Sequence, residues 1–250
     1  MTYDLRNVFA FSTERDEALP CAVCRPHQTH GDQVRRVSSL DESYDPERHG
    51  ADHPLYGVDA LITDIPGLCI AVRTADCVPV LLHDPVHHAV AAIHAGWRGT
   101  VQHISNKTIA LMHEEFGTQP SDLQALIGPC IGPDSFEVGE EVVEAFLAAG
   151  FPDNIVLRPG TSLPQQTDAT SLPQQADATS LSQQADGMGM SRKPHIDLWA
   201  ANSWSLEEAG VPLPQIRVAG IDTLADTRFF SARRETIHCG RITNGIRLED

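Results

Sequence analysis

Three side chains carry the strongest chemical suggestion in this chain. His30 closes "PHQTHG", Cys77 sits in "TADCVPV", and His94 sits in "IHAGWRG". In each stretch an extended or apolar segment ends in a side chain able to bind metal, next to small residues. A glycine beside such a side chain lets the backbone turn and lets a substrate come close. Two imidazoles and a thiolate make a good zinc set, and three protein ligands leave a fourth position open for water. Zinc would bring the pKa of that water toward neutrality and make it a nucleophile. The same thiol could instead attack directly, with a histidine as its base. Spacing does not choose between these. The three residues lie 47 and 17 apart, which is no local metal motif, and the chain has 12 histidines. A buried cysteine also commonly serves as a small hydrophobe.

Arginines form a second layer. Arg73 precedes the cysteine strand, Arg98 follows His94, and Arg233 and Arg234 follow "FFS". Guanidinium binds phosphate or carboxylate with two prongs, although any one of these could simply pair with an acid. Arg98 is the strongest of them as a substrate-binding candidate, being four residues from His94 in a Gly-flanked turn that leads into a helix. Asp76, beside Cys77, is a candidate proton donor, or else a carboxylate that orients a histidine behind the metal. "GPCIGPDSFEVG" is a Gly-rich turn that either lines a pocket or merely connects elements.

Other chemically suggestive residues have plainer readings. "CAVC" (Cys21, Cys24) has zinc or redox spacing but no second pair to match it. His83, His87 and His88 surround the turn "HDPVHH" and are expected to be solvated. Cys69 and Cys130 sit in apolar contexts and are expected in the core. Cys239 carries no assignment.

The elements that must position these groups follow from apolar periodicity. Strands are predicted at Val8 to Ser12, "VDALIT", "LCIAVRT", "VPVLLHD", "HAVAAIHAG", "LQALIGP", "IRVAG" and "GRITNGIRL". "VPVLLHD" and "HAVAAIHAG" are continuously apolar, so both their faces should be covered. Val101, Ile104, Thr108, Leu111, Met112 and Phe116 share one helical face, with Gly117 as the stop. "GEEVVEAFLAAG" is a second helix, and "HIDLWAANSWSLEEAG" a third, between Asp197 and Gly210. "RFFSARRE" reads as a loop or short helix. Residues 38–56 are charged and read as a surface loop. Residues 161–187 are three near-copies of a nine-residue unit with one Leu each, a composition too poor in apolar surface to order itself. We therefore expect one domain over residues 1–250, with 161–187 as a disordered insertion.

Composition narrows the partners. Of 250 residues, 41% are apolar, which suits a folded globule. Only 18 Lys and Arg face 34 Asp and Glu, for a net charge of -16, so a nucleic-acid surface is not expected. A small anion could still be held by two or three arginines. No stretch reaches the length of a membrane span, and no signal-like apolar block stands at the N-terminus. The expected setting is cytoplasmic, with the six cysteines reduced.

Taken together, "PHQTHG", "GVDALITDIPGLCIAVRTADCVPVLLHDP", "AAIHAGWRGT", "IGPCIGPDSFEVGEEV", "HIDLWAANSWSLEEAGV" and "FFSARRE" resemble the purine nucleoside phosphorylase family once called polyphenol oxidoreductase or multicopper laccase-domain proteins. The resemblance runs from about residue 26 to 247, and "TADCVPV" with "HAGWRG" is specific as a pair. It implies an α+β (mixed α/β) domain of mixed sheets flanked by helices, with a pocket like that of cysteine hydrolases. It implies one zinc held by His30, Cys77 and His94, with copper less favoured because three such ligands make no multicopper cluster. The implied activities are phosphorolysis of adenosine, inosine, guanosine and methylthioadenosine, and deamination of adenosine, in a monomer or small homo-oligomer. In family members a longer segment, with a Gly/Ser-Asn loop and a helix, usually precedes the "QVHG"-like turn. Here "FSTERDEALPCAVCRPHQTHG" crosses almost directly. If that segment closes over ribose or phosphate, its loss would weaken nucleoside binding. Two rivals remain: a zinc-binding remnant acting through a partner protein, and a Cys-His hydrolase using Cys77 and His94.

Overall fold

The two most apolar runs of the sequence pair with each other at the centre of the molecule. In this computed structural model, which describes residues 1–5, 8–158 and 193–249, Val78–Asp84 and Ala89–Ala95 form antiparallel neighbours with Val78 opposite Ala95 and Pro79 opposite His94. Every residue of both strands is buried. Their side chains alternate between two cores, as the period-2 pleat requires. Val80, Leu82, Ala91 and Ile93 face one core, which is shared with helices. Leu81, Val90 and Ala92 face the other, which is shared with a second sheet.

In chain order the first elements are β1 (Thr2–Leu5), β2 (Val8–Ser12), β3 (Gln33–Arg36), β4 (Val58–Thr63), β5 (Ile70–Thr74), β6 (Val78–Asp84) and β7 (Ala89–Ala95). Two helices follow, α1 (Trp97–Val101) and α2 (Ile104–Phe116), then β8 (Gln124–Ile127) and α3 (Glu140–Ala148). The remainder comprises β9 (Val156–Leu157), β10 (His195–Ile196), α4 (Leu198–Glu208), β11 (Ile216–Val218), α5 (Ala232–Glu235) and β12 (Ile242–Leu248). A six-stranded mixed sheet has the order β11-β8-β6-β7-β4-β3, and a four-stranded antiparallel sheet the order β1-β2-β12-β5. Helices α2, α3 and α4 cover one face of the large sheet through Ile104, Met112, Phe146 and Leu206. The small sheet covers the other through Val8, Ile70, Val72 and Ile246. This is the expected α+β architecture, and it explains why β6 and β7 could be apolar over most of their length.

Two expectations need correction. The helix read over Val101 to Phe116 is two helices. The chain breaks at His103, which takes a left-handed conformation (φ 56°, ψ 44°). Its ring stacks on Phe151, and its Nε2 lies 3.1 Å from the carbonyl of Ala149, so a tertiary anchor overrides the helical period. His83 is buried rather than solvated, because β6 continues through Asp84 and pairs His83 with both Val90 and Gln124. The turn itself begins only after Asp84.

Other features match. Asp197 caps α4 by accepting from the amide of Ala200, and Gly117 and Gly210 end their helices at positive φ. Cys69 and Cys130 are core residues. β1 and β3 were not expected from the sequence. Residues 161–187 lie outside the described residues. Among those described, no helix is long and apolar enough to cross a membrane.

Candidate metal centre

Side chains 30, 77 and 94 converge. One ligand atom from each of His30, Cys77 and His94 lies within 4.8 Å of the others. The fold brings them together from three directions. His94 stands near the end of β7, Cys77 just before β6, and these strands are neighbours with Pro79 opposite His94. His30 comes from the loop before β3, and its ring meets the His94 ring edge-on at 4.9 Å. Gly96 leaves the room they share. A Cβ there would sit 3.2 Å from Cys77 Sγ and 3.3 Å from His30 Cδ2.

Asp59 holds two of the three ligands. It lies fully buried in β4. Its Oδ1 is 2.7 Å from His94 Nδ1, which therefore carries the proton and leaves Nε2 for the metal. The same carboxylate accepts from three consecutive amides, those of Thr29 (3.2 Å), His30 (3.0 Å) and Gly31 (2.8 Å). These bonds explain why His30 tolerates a left-handed backbone at φ 63°. Burial would raise the Asp59 pKa, but the bond and charge of His94, with the loop amides, outweigh it and hold it below the usual carboxylate range. Sequence reasoning missed Asp59. The available signal was a lone acid inside the apolar run "VDALIT".

The thiol is set toward the thiolate that a metal or a nucleophile pair needs, whereas the imidazole is set toward the protonated form that pairs with that thiolate and must give up a proton to bind a metal. Burial pushes the Cys77 thiol up, yet the charge of His94 and hydrogen bonds from both histidines bring it down to about 6. Burial likewise lowers the His94 imidazole, but Cys77 and Asp59 carry it up to about 9. The donor set, two imidazoles and a low-pKa thiol around a space that one methyl group would crowd, fits a single ion. Among the described residues this is the one group of three or more such side chains close enough to hold a metal.

A cavity of about 790 Å³ opens onto the cluster. Arg73 and Arg233 line it, as does Asp76. Both oxygens of Asp76 are engaged, Oδ1 accepting from the Thr223 hydroxyl (2.7 Å) and Oδ2 from the Arg233 amide (2.7 Å). The carboxylate thus ties the Cys77 turn to α5, and the acid that orients a histidine is Asp59. Arg233 donates from both terminal nitrogens to the carbonyl of Glu137. Arg98 is not part of the lining. It is the second residue of α1, with its guanidinium over the Trp97 ring, 4.3 Å from the centroid. The loop over residues 38–56 does more than skirt the surface, since its Tyr44 and Pro46 wall the cavity. Arg25 and Arg241, not singled out in the sequence, line it too. The Cys24 thiol is buried, which pushes it up to about 12.

Comparison with known proteins places this architecture. The model for multi-copper polyphenol oxidoreductase laccases matches residues 12–249. The chain belongs to that family. A purine nucleoside phosphorylase of Bacteroides thetaiotaomicron is 46% identical to this laccase-family chain over 231 residues, spanning 92% of it and 74% of the relative. Adenosine deaminase RL5, from an unknown prokaryotic organism, is 38% identical over 88% of this chain and 73% of its own. Among solved structures, hypothetical protein YfiH of Bacillus licheniformis superposes with a TM-score of 0.72 at 28% identity, covering 91% of this chain and 74% of that one.

Proposed function

We propose that this chain is a zinc-dependent purine nucleoside phosphorylase that also deaminates adenosine. The observation carrying the proposal is the convergence of His30, Cys77 and His94 at the floor of an arginine-lined cavity. The names of the Bacteroides thetaiotaomicron relative and of adenosine deaminase RL5 support the substrate class. Zinc is favoured over copper because the donor set offers three ligands at one point, whereas a multicopper cluster needs several sets. Bound there, zinc supplies Lewis acidity that makes water a competent nucleophile near neutral pH.

The protein groups have separable tasks. His30, Cys77 and His94 hold the ion, and Asp59 fixes the tautomer of His94 and the path of the His30 loop. Arg73 and Arg233 present positive charge to the anionic parts of the reactants. In phosphorolysis a phosphate oxygen bonds to the anomeric carbon while the glycosidic bond breaks and the purine leaves with a proton. Asp76, on the cavity wall, accepts at both oxygens and holds the Arg233 backbone, so the proton that the purine takes is the one the hydrogen phosphate gives up.

The deciding experiment assays purified protein with adenosine and phosphate, with and without a chelator, and as Cys77→Ala. Adenine or inosine should form with the intact protein alone; equal release in all samples would end the proposal. One observation favours a second reading, a Cys-His hydrolase: Cys77, His94 and Asp59 form a connected chain with a low thiol pKa. Metal analysis separates the two. One zinc per chain with chelator-sensitive turnover supports the phosphorylase, and metal-free, thiol-reagent-sensitive hydrolysis supports the rival.

A further inference from the structure

Among the described residues, the cavity wall carries more positive charge than its acids neutralise. Four arginines (Arg25, Arg73, Arg233 and Arg241) line it against a single carboxylate, Asp76, in a chain whose net charge is -16. Asp76 is already engaged by Thr223 and the amide of Arg233. Arg233 and Arg241 spend their guanidinium groups on backbone carbonyls. Arg25 and Arg73 do not: among the described residues neither guanidinium makes an ion pair or a hydrogen bond.

Three adjacent backbone segments bring these charges side by side. The amide of Cys24 donates to Cys69, and that of Ala71 to Cys24, so the segment after Cys24 runs parallel to β5. Gln28 continues the pairing with its side chain, accepting from the Arg73 amide and donating to the Arg73 carbonyl, both at 2.8 Å. Arg25 is fixed through its own backbone, to Ser43 Oγ (3.1 Å) and the Tyr44 amide (2.8 Å). On the other side β12 pairs Thr243 with Arg73, which sets Arg241 at the same end. Partial loss of solvent, and then the charges of Arg25 and Arg241, hold the Arg73 guanidinium below its usual pKa. Like charges on neighbouring strands oppose folding unless a ligand of opposite sign repays them.

We propose that Arg25 and Arg73, backed by Arg241, form a cradle for a tetrahedral phosphate dianion on the wall of the cavity that holds His30, Cys77 and His94. Two uncompensated guanidinium groups match two negative charges, and their forked donors match phosphate oxygens. A monoanion such as a carboxylate would leave one arginine unpaired. The proposal deepens the nucleoside reading and takes its substrate class from it. The phosphate has two sources, the inorganic ion as co-substrate or the 5′-phosphate of a purine nucleotide.

The test is calorimetric titration of the full-length, metal-loaded protein with inorganic phosphate, with AMP and with adenosine, at low ionic strength. Arg25→Gln and Arg73→Gln should each weaken the phosphate-bearing ligand at least about tenfold, as expected for loss of a charge-assisted pair. Arg25→Lys, which keeps the charge and loses the fork, should fall between. Arg35→Gln, on β3 and outside the lining, should bind as the intact protein does. Losses confined to AMP, with AMP binding more tightly than adenosine, identify the nucleotide phosphate as the ligand; losses with inorganic phosphate identify the co-substrate. Equal binding by the intact protein and both glutamine variants, or no binding of either phosphate compound, overturns the cradle. Binding is read without turnover, so an intact protein that binds phosphate but cleaves no nucleoside sinks the phosphorylase reading alone.

Discussion

Asp59 reaches His94 Nδ1 at 2.7 Å from inside β4, with no exposed surface of its own. The pair joins two sequence regions that share no local motif. Through the same carboxylate, the His30 loop is pinned to the strand next to β7. Two of the three candidate ligands are therefore positioned by a carboxylate outside the cluster.

Asp59→Asn should expose that dependence. The amide cannot accept from His94 and from three backbone amides at once, and one of its ends now donates. Metal affinity should fall about 10- to 100-fold, the usual cost of removing such an orienting partner. Chelator competition measures it. Affinity equal to that of the intact protein would mean that the His30 loop and His94 ring are held by packing alone.

Gly96→Ala tests the space among the ligands. Gly96 has φ -61°, so an alanine meets no backbone penalty there. Its methyl group would instead press on Cys77 Sγ and His30 Cδ2 at 3.2 and 3.3 Å. Zinc stoichiometry measured by elemental analysis should drop while the far-ultraviolet circular dichroism stays that of the intact chain. Full zinc occupancy would show that the ligands can part without loss.

The strands and the cluster were legible in the sequence for different reasons. β6 and β7 announced themselves because burial on both faces leaves mostly apolar residues, broken only by His83 and Asp84 in β6 and His94 in β7. His30, Cys77 and His94 stood out by their flanking small residues, and the family resemblance assigned them one metal. Asp59 did not, because its role depends on pairing between β4 and β7, which no spacing encodes. Arg98 stands apart from the other arginines because sequence proximity to His94 says nothing about direction, and its side chain turns onto Trp97. Arg25 was missed for the converse reason: Arg73 comes alongside it on the cavity wall only after Cys24 docks beside β5.

The repeat tract should be dispensable. Val156 and Leu157 pair antiparallel with Ile196 and His195, so the chain leaves and re-enters at adjacent points. The length of a connection changes its closure entropy only slowly, about 0.6 kcal/mol per doubling. Deleting residues 161–187 should leave the unfolding temperature and zinc content unchanged within error and every assayed activity intact. A drop of several degrees would show that the tract packs on the domain.

Asp84 offers a pH-dependent test remote from the metal. Its carboxylate is buried at the end of β6, with Oδ1 accepting from the amides of Val86 (2.8 Å) and His87 (3.0 Å) and Oδ2 lying 2.9 Å from His87 Nδ1. Burial alone would raise its pKa, yet the neighbouring Thr118 side chain together with these bonds outweighs it and sets it below the ordinary carboxylate value. A folded-state pKa below the unfolded one stabilises the protein above the unfolded value, about 3.9 for Asp, and that contribution fades as pH falls through the folded value. Asp84→Asn keeps one acceptor for the turn amides but loses the charge and the bond to His87. Urea unfolding should find the variant about 1–2 kcal/mol less stable at pH 7, the scale of a charge-assisted hydrogen bond. The gap should narrow as the pH is taken from 5 toward 3, because the intact protein loses its advantage when Asp84 takes up a proton. A gap that stays constant over that range would show that the substitution acts by shape and packing rather than through the carboxylate charge.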